Sequence, residues 1–516
     1  MKNGTRSANF RTRILAAIYT TIPRIPPLHR ALNRYLINQL AFAVPPRPRP
    51  LTMKGGYSTW PGLTNRAYSG RHLPPAPSLN LPPLEDVLTL FERTKDLRAV
   101  DTTLLFPFFA QWFTDSFLRT KWKPEPDQDF AENESNHEID LCQIYGLSEA
   151  QTDLLRAHEG GRLKSQTIDG AEWPVFLFEE GEDGPTMKPE FANLHSPVNF
   201  HRVFQNSTDE EKRHAFAVGL EHGNVTIGNT LMNTVFLREH NRVAGILSDA
   251  YPDWDDERVF QTTRNVCIVE LLKIVIGEYI VHISPQPFPL FAEPGMAEKE
   301  SWYRTNWIAV EFALLYRWHD LIPSTVEFAG QTESAGFLVR NNRRAIELGV
   351  ERLSLDASRQ RAGRIGLGNT DSILMDVQRV SMQMARRCQL APYNDYRARY
   401  GMKPLATFEE LTGEEVLAQR LKDLYGSMDR LEWFVGIFAE GYSNDDLMGG
   451  LLVRMVANDA FTQALTNPLL SKAVYGPDTF SEVGLRVIEA TGSLGDVIAR
   501  NSGVSAPTDV GFMITD

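Results

Sequence analysis

The 516-residue sequence predicts a mainly α-helical protein, a large helical body preceded by a short amphipathic helical arm. Apolar residues recur at helical spacing through 85–97, 102–120, 229–249, 255–282, 301–319, 371–387 and 414–425. No strand–helix alternation, glycine-rich phosphate loop or internal repeat accompanies them, so a parallel sheet is not expected. With 42% hydrophobic and 10% aromatic residues, the chain can bury a large core.

Residues 1–50 form the arm and 51–516 the body. Within 9–45, Pro23, Pro26 and Pro27 cut short apolar helical patches into pieces too short to cross a bilayer. Such pieces suit the membrane interface, apolar side down and arginines at the headgroups; an arm packed on the body is the alternative. From 45 to 83 the chain is rich in proline and glycine and reads as an extended linker. The helical segments of the body follow. The acidic loop 179–183 reads as solvated surface, and REHNR at 238–242 lacks the second histidine of a zinc-protease motif.

Charge is divided unevenly. Residues 1–84 hold twelve Lys and Arg and no acid, whereas the remainder carries −24 within a total of −12. A basic arm on an acidic body suits a peripheral membrane contact better than nucleic acid, because its cations alternate with aliphatics and prolines. Cys142, Cys267 and Cys388 are too few and too scattered for a disulfide framework, which indicates a reducing compartment. No signal segment opens the sequence and no run of about 18 apolar residues occurs. A cytoplasmic protein held peripherally at a membrane is expected, and the sequons at Asn3, Asn133, Asn206 and Asn224 read as accidental.

One short segment carries redox chemistry. In FALLYRWHDLIP, Tyr316 and His319 stand three apart in an apolar helical context, where side chains of one face lie about 5–6 Å apart at Cβ. Tyrosine can lose an electron and a proton, and a neutral imidazole is an ordinary axial ligand of haem iron. Simple core packing of the pair is the alternative.

The blocks GYSTWPGLTNRAYSGRHLPPAP (56–77), LLFPFFAQWFTDSFLRT (104–120), FLREHNRVAGIL (236–247), LLYRWHDLIPST (314–325) and FEELTGEEVLAQRLKDLYG (408–426) run in this order along the chain. In them the sequence resembles the cyclooxygenase branch of the animal haem peroxidases. That resemblance implies a haem peroxidase, cyclooxygenase-like helical catalytic domain and a membrane-binding arm framing a fatty-acid channel. It gives His319 the part of the proximal haem ligand, Tyr316 that of the catalytic tyrosine and Gln111 that of the distal glutamine. Asn394 takes the part of the asparagine that supports the proximal histidine, with loop capping as the alternative. The cysteine-rich module of the animal enzymes has no counterpart.

The departures matter as much. Asp115 occupies the distal histidine position, and a carboxylate of ordinary pKa is a poor proton acceptor at neutral pH. His222, in AVGLEHGNVTIG, is the candidate substitute, unless it is a loop histidine. Val225 stands where mammalian peroxidases esterify haem, so haem b bound non-covalently is expected. Around Leu40 and Ala41, apolar residues replace the arginine that pairs with a fatty-acid carboxylate, and Arg34, Arg47 and Arg49 are the alternatives. Gln463 falls near a glycine of the channel's far end. The expected function is haem-dependent dioxygenation of an unsaturated fatty acid by O2 through a Tyr316 radical. A peroxidase or peroxygenase acting on small reductants, and a catalytically weakened lipid- and haem-binding homologue, are the rivals; a homodimer remains one open assembly.

Overall fold

A computed structural model describes residues 19–42, 59–76, 80–284, 288–443 and 446–514. Arm residues 1–18 and 43–50, with Arg47 and Arg49, lie outside the described residues. Helix α1 (Pro26–Phe42) has two prolines in its first turn, where missing N–H groups cost nothing. Strand β1 (Arg98–Thr103) leads into α2 (Leu105–Thr114), buried throughout except at Gln111. Two hairpins, β2 (Ser165–Ile168) with β3 (Ala171–Pro174) and β4 (Phe178–Gly181) with β5 (Gly184–Met187), precede α3 (Pro197–Phe204) and α4 (Ile227–Ala250). Helix α5 (Asp256–Ile274) runs through a π turn, Val275–Tyr279, into a last α turn, Ile280–Ile283. After α6 (Val310–Leu315) come the hairpin β6 (Thr325–Phe328) with β7 (Gln331–Ser334), α7 (Asn342–Arg359), and β8 (Arg361–Gly363), which pairs with β1. The chain continues through α8 (Met375–Arg387), α9 (Tyr393–Arg399), α10 (Glu415–Tyr425), α11 (Trp433–Ala439), α12 (Gly450–Leu465) and α13 (Pro477–Ala490).

The core is organised around α4. Thr226 caps it by accepting from the Asn229 N–H, and most of its length is buried, as expected of a helix packed on several sides by α2, α5 and α7. Helix α2 lies against it closely: a Cβ at Gly228 would stand 2.6 Å from Phe108, and the Trp112 ring stacks on Phe236 at 4.6 Å. Bulk at Gly228 would push away the helix that bears Gln111. Helix α1 packs on α12, and Glu293 clasps it through Arg30 and Arg34 while Asn33 exchanges hydrogen bonds with the Phe291 backbone. No helix among the described residues is long and apolar enough to cross a membrane.

The helical periods at 229–249, 371–387 and 414–425 are recovered closely, but three others are cut short. The 85–97 segment is helical only over Leu84–Leu88, and 102–120 opens as strand β1. The 301–319 segment is helical only over Val310–Leu315, because Tyr316 and Trp318 leave helical φ/ψ and His319 begins a separate 3₁₀ turn, His319–Leu321. Tyr316 and His319 therefore do not share one helical face. The turn is fixed from outside: the Trp318 ring stacks on Phe106 at 6.0 Å, and the buried Asp320 carboxyl accepts from Thr370 Oγ1 and from the Gly366 N–H.

Candidate active site

Tyr316 caps α6 within an aromatic wall, its ring 5.1 Å from Phe312 and 4.7 Å from Trp318. Its hydroxyl approaches that of Tyr279, the last residue of the π turn, without hydrogen-bonding geometry, and neither has another partner among the described residues. Burial pushes the Tyr316 phenol well above its usual value; the Asp459 carboxylate adds to the rise and Tyr279 offsets part of it. The phenol is thus protonated at any physiological pH and suited to giving up a hydrogen atom rather than to acting as a phenolate. Asp459, on α12, is itself buried and paired with His72 Nε2 at 2.7 Å.

His319 has one ring nitrogen committed and one free among the described residues. Its Nδ1 donates to Gln378 Oε1 on α8 at 2.7 Å, which leaves the Nε2 lone pair free of any hydrogen bond among the described residues. Burial holds its pKa down at about 4, Gln378 acting upward and Arg317 downward, so the imidazole is neutral at pH 7. The acceptor expected at Asn394 is a correction. Asn394 Nδ2 donates to the Leu405 carbonyl at 2.9 Å and its Oδ1 accepts from the Leu405 N–H at 3.0 Å, so this side chain closes a loop and is spent there.

Gln111, Asp115 and His222 come together at the start of α4. Gln111 Oε1 accepts from Thr226 Oγ1 at 3.5 Å. Asp115 Oδ2 accepts at 3.3 Å from Asn229 Nδ2, which also donates to the His222 carbonyl at 3.0 Å. Burial raises the Asp115 pKa, with His222, Arg119 and Arg317 offsetting part of it, so its carboxyl is not of the ordinary kind expected from sequence. His222 is held at both nitrogens. Its Nδ1 lies 3.0 Å from Glu221 Oε1, and its Nε2 accepts from Arg202 at 2.7 Å, since a guanidinium only donates. Burial pushes Glu221 up, but His222 and Arg119 more than reverse this and hold it ionised, well below the usual carboxylate range.

Arg317 links the two sets. It lies between Tyr316 and His319 in sequence, and its charge acts on both Asp115 and His319; burial lowers its own pKa and Asp115 raises it. Buried polar atoms without partners gather here: Tyr316 Oη, Tyr279 Oη, Arg317 Nε, Trp318 Nε1, Gln378 Nε2 and Asn229 Oδ1. Buried polar groups are normally satisfied, so such a gathering beside a neutral, one-sided imidazole fits a large cofactor with polar edges, and haem is that. Among the described residues no three His, Cys, Asp or Glu side chains converge to hold a bare metal ion. Gln378, Arg202, Glu221 and Tyr279 escaped the sequence reading. Glu221 adjoins His222 and was the only one with a local signal; the others arrive from distant helices.

A cavity of about 750 Å³ is lined by residues that include Tyr19, Leu36, Leu40, Ile280, Ala457 and Phe461. Ile280 follows Tyr279 and Phe461 lies on the helix of Asp459, so the cavity adjoins the helices that flank the Tyr316 hydroxyl. Arg34, a sequence candidate for pairing with a substrate carboxylate, is instead gripped by Glu293 at 2.7 and 2.8 Å. Gln463 is turned to the His137 carbonyl and does not line this cavity.

The family model described as "Animal haem peroxidase" matches residues 106–510. The chain is 31% identical to prostaglandin G/H synthase 2 of Bos taurus over 499 residues, covering 94% of this chain and 78% of that protein. It is 34% identical to prostaglandin G/H synthase 1 of Mus musculus over 472 residues, or 89% and 74% of the two chains. Among solved structures, the fatty acid alpha-dioxygenase of Oryza sativa superposes with a TM-score of 0.72 at 16% identity, over 97% of this chain and 96% of that one. Peroxidase A of Dictyostelium discoideum gives 0.65 at 20% identity, over 86% and 94%.

Proposed function

The chain belongs to the animal haem peroxidase family and is an oxidoreductase, and from that premise we propose that it is a haem-dependent dioxygenase of unsaturated fatty acids. The observation that carries this is Tyr316: a buried, protonated phenol with no acceptor among the described residues, next to Tyr279, whose chain neighbour Ile280 lines a large, mostly apolar cavity. The similarity to prostaglandin G/H synthases, and to the fold of a fatty acid alpha-dioxygenase, supports a lipid as the occupant.

His319 Nε2 would hold haem b, non-covalently since Val225 offers no carboxylate to esterify it, and the group when bound would supply one-electron oxidising equivalents drawn from a peroxide. Gln378 keeps the His319 tautomer ready, and Gln111, Asp115 and the Glu221–His222–Arg202 group supply the polar distal residues. Once Tyr316 has lost an electron and its phenolic proton, it takes a hydrogen atom from an allylic or bis-allylic carbon. O2 adds to that carbon radical, and the peroxyl radical recovers the phenolic hydrogen, leaving a lipid hydroperoxide and Tyr316 ready for another turn. The apolar walls keep water from the intermediate radicals. Exposed Leu28 and Tyr35, on the side of α1 turned from the body, support delivery of the lipid from a membrane surface.

The test is haem-reconstituted protein offered a panel of unsaturated fatty acids in an oxygen electrode. Stoichiometric O2 uptake with hydroperoxide formation is expected. Oxidation of small reductants by hydrogen peroxide, with no fatty-acid-dependent O2 uptake, would replace this reading with that of a peroxidase.

A further inference from the structure

The cavity has one cation among the described residues that line it. Of the described residues that line it, only Arg454 is a lysine, arginine or histidine, while Glu440 and Asp446 are its acids. Both acids are already engaged. Glu440 binds Arg397 at 2.8 Å and accepts from the Leu451 N–H at 2.8 Å, and Asp446 accepts from the Ser443 hydroxyl at 2.8 Å. Arg454 is different: its one hydrogen bond runs from Nη1 to the Tyr400 carbonyl at 2.9 Å, and no carboxylate of the described residues pairs with it. The Nε–Nη2 edge, which can grip a carboxylate in two parallel hydrogen bonds, has no partner among the described residues. The arginines of α1 do not compete, because Glu293 holds both Arg30 and Arg34.

We propose that Arg454 is the anchor for the carboxylate of the fatty acid. An ionised carboxylate entering an apolar cavity must replace its lost hydration with a paired charge, and Arg454 is the group placed to do so. Gly450, Val453, Arg454, Ala457 and Phe461 share the lining face of α12, in keeping with helical spacing. Seven residues of helix separate Arg454 from Phe461, about 10 Å along the axis, and five separate it from Asp459, about 7.5 Å. A chain held at Arg454 and extended past Ala457 and Phe461 therefore presents a mid-chain carbon, not the carbon next to the carboxylate, to Tyr316. This assignment rests on the dioxygenase reading for its substrate class, yet binding alone can test it.

The experiment uses the haem-reconstituted full chain, with Arg454→Leu and Arg454→Lys, against linoleic acid and methyl linoleate, reading calorimetric binding, KM, kcat and product regiochemistry. Haem content and circular dichroism check that each variant is folded. For Arg454→Leu, the Kd and KM for linoleic acid should rise about 10- to 100-fold, the scale of a lost charge-assisted hydrogen bond, with kcat little changed. The methyl ester should bind wild type and variant alike, Arg454→Lys should retain part of the affinity, and wild-type product should be oxygenated mid-chain. Unchanged acid binding in Arg454→Leu, or wild-type oxygenation next to the carboxyl carbon, overturns the assignment. Wild-type binding of linoleic acid without O2 uptake would instead sink the dioxygenase reading while leaving the calorimetric comparison to judge Arg454.

Discussion

Chemistry at the residue scale depends on which hydrogen bonds are already made. His319 has Nδ1 committed to Gln378 and Nε2 free, whereas His222 has both nitrogens committed, to Glu221 and Arg202. Two histidines in one site are thereby given different tasks: one presents a lone pair, and the other must first release Arg202 to take a proton. Asp115 lies between them in character, with a pKa raised by burial but opposed by three cationic or ionisable neighbours. An imidazole at that position has the pKa that suits proton transfer near neutrality. Asp115→His should therefore raise hydrogen-peroxide-dependent oxidation of a small reductant by about 10²–10⁴-fold, the usual contribution of a placed general acid–base. An unchanged peroxidase rate in a folded, haem-loaded variant would remove Asp115 from the distal machinery.

Elements position these side chains in ways that local sequence only partly reveals. Periodicity located α4, α8 and α10 because each turns a regular apolar stripe to the core. It overran α6, since Tyr316–Trp318 keep helical composition while their backbone is set by contacts with Phe106, Thr370 and Gly366. The π turn that delivers Tyr279 has no compositional mark either. The hairpins were legible in principle: Asp169–Gly170 and Ala329–Gly330 both have positive φ at the two central positions of a tight turn, and Asp-Gly is a strong signal for it. Matching blocks of sequence pointed to Tyr316, His319, Gln111 and Asp115, but they could not reveal that Asn394 is spent on Leu405. For α1, the structure puts Asn33 and Ile37 inward and Leu28 and Tyr35 outward. Replacing the outward pair, Leu28→Glu with Tyr35→Glu, should weaken sedimentation with anionic liposomes without disturbing the α12 contact, and salt should reduce what remains. Equal sedimentation of variant and wild type would contradict a membrane role for this face.

At the scale of the whole molecule, burial of ionisable groups sets the pH response. Burial raises Glu138 and Glu278 to about 7, and burial with the nearby Glu239 raises Glu270 to about 8. Acids with raised folded pKa values contribute stability that is complete below their unfolded value and disappears as pH climbs through the folded one. Buried His195, His240 and His282 are lowered to about 4, 3 and 4, so the stability they contribute is present above their usual 6.5 and is lost as pH falls through and below it. Between pH 6.5 and 8 the acids outweigh the histidines, whose unfolded imidazoles are losing their last protons. Tm measured across that interval should fall steadily, and Glu278→Gln should flatten the slope; a rising Tm would contradict the burial of these carboxyls.

The same burial that silences these groups keeps the Tyr316 phenol protonated, and the proposed reaction depends on that hydroxyl. Tyr316→Phe removes one oxygen from an aromatic wall that otherwise stays intact. Measured in haem-reconstituted protein with linoleic acid, this variant should keep its haem content and Soret band and lose fatty-acid-dependent O2 uptake entirely. O2 uptake undiminished from wild type, with the same hydroperoxide as product, would contradict hydrogen abstraction by Tyr316.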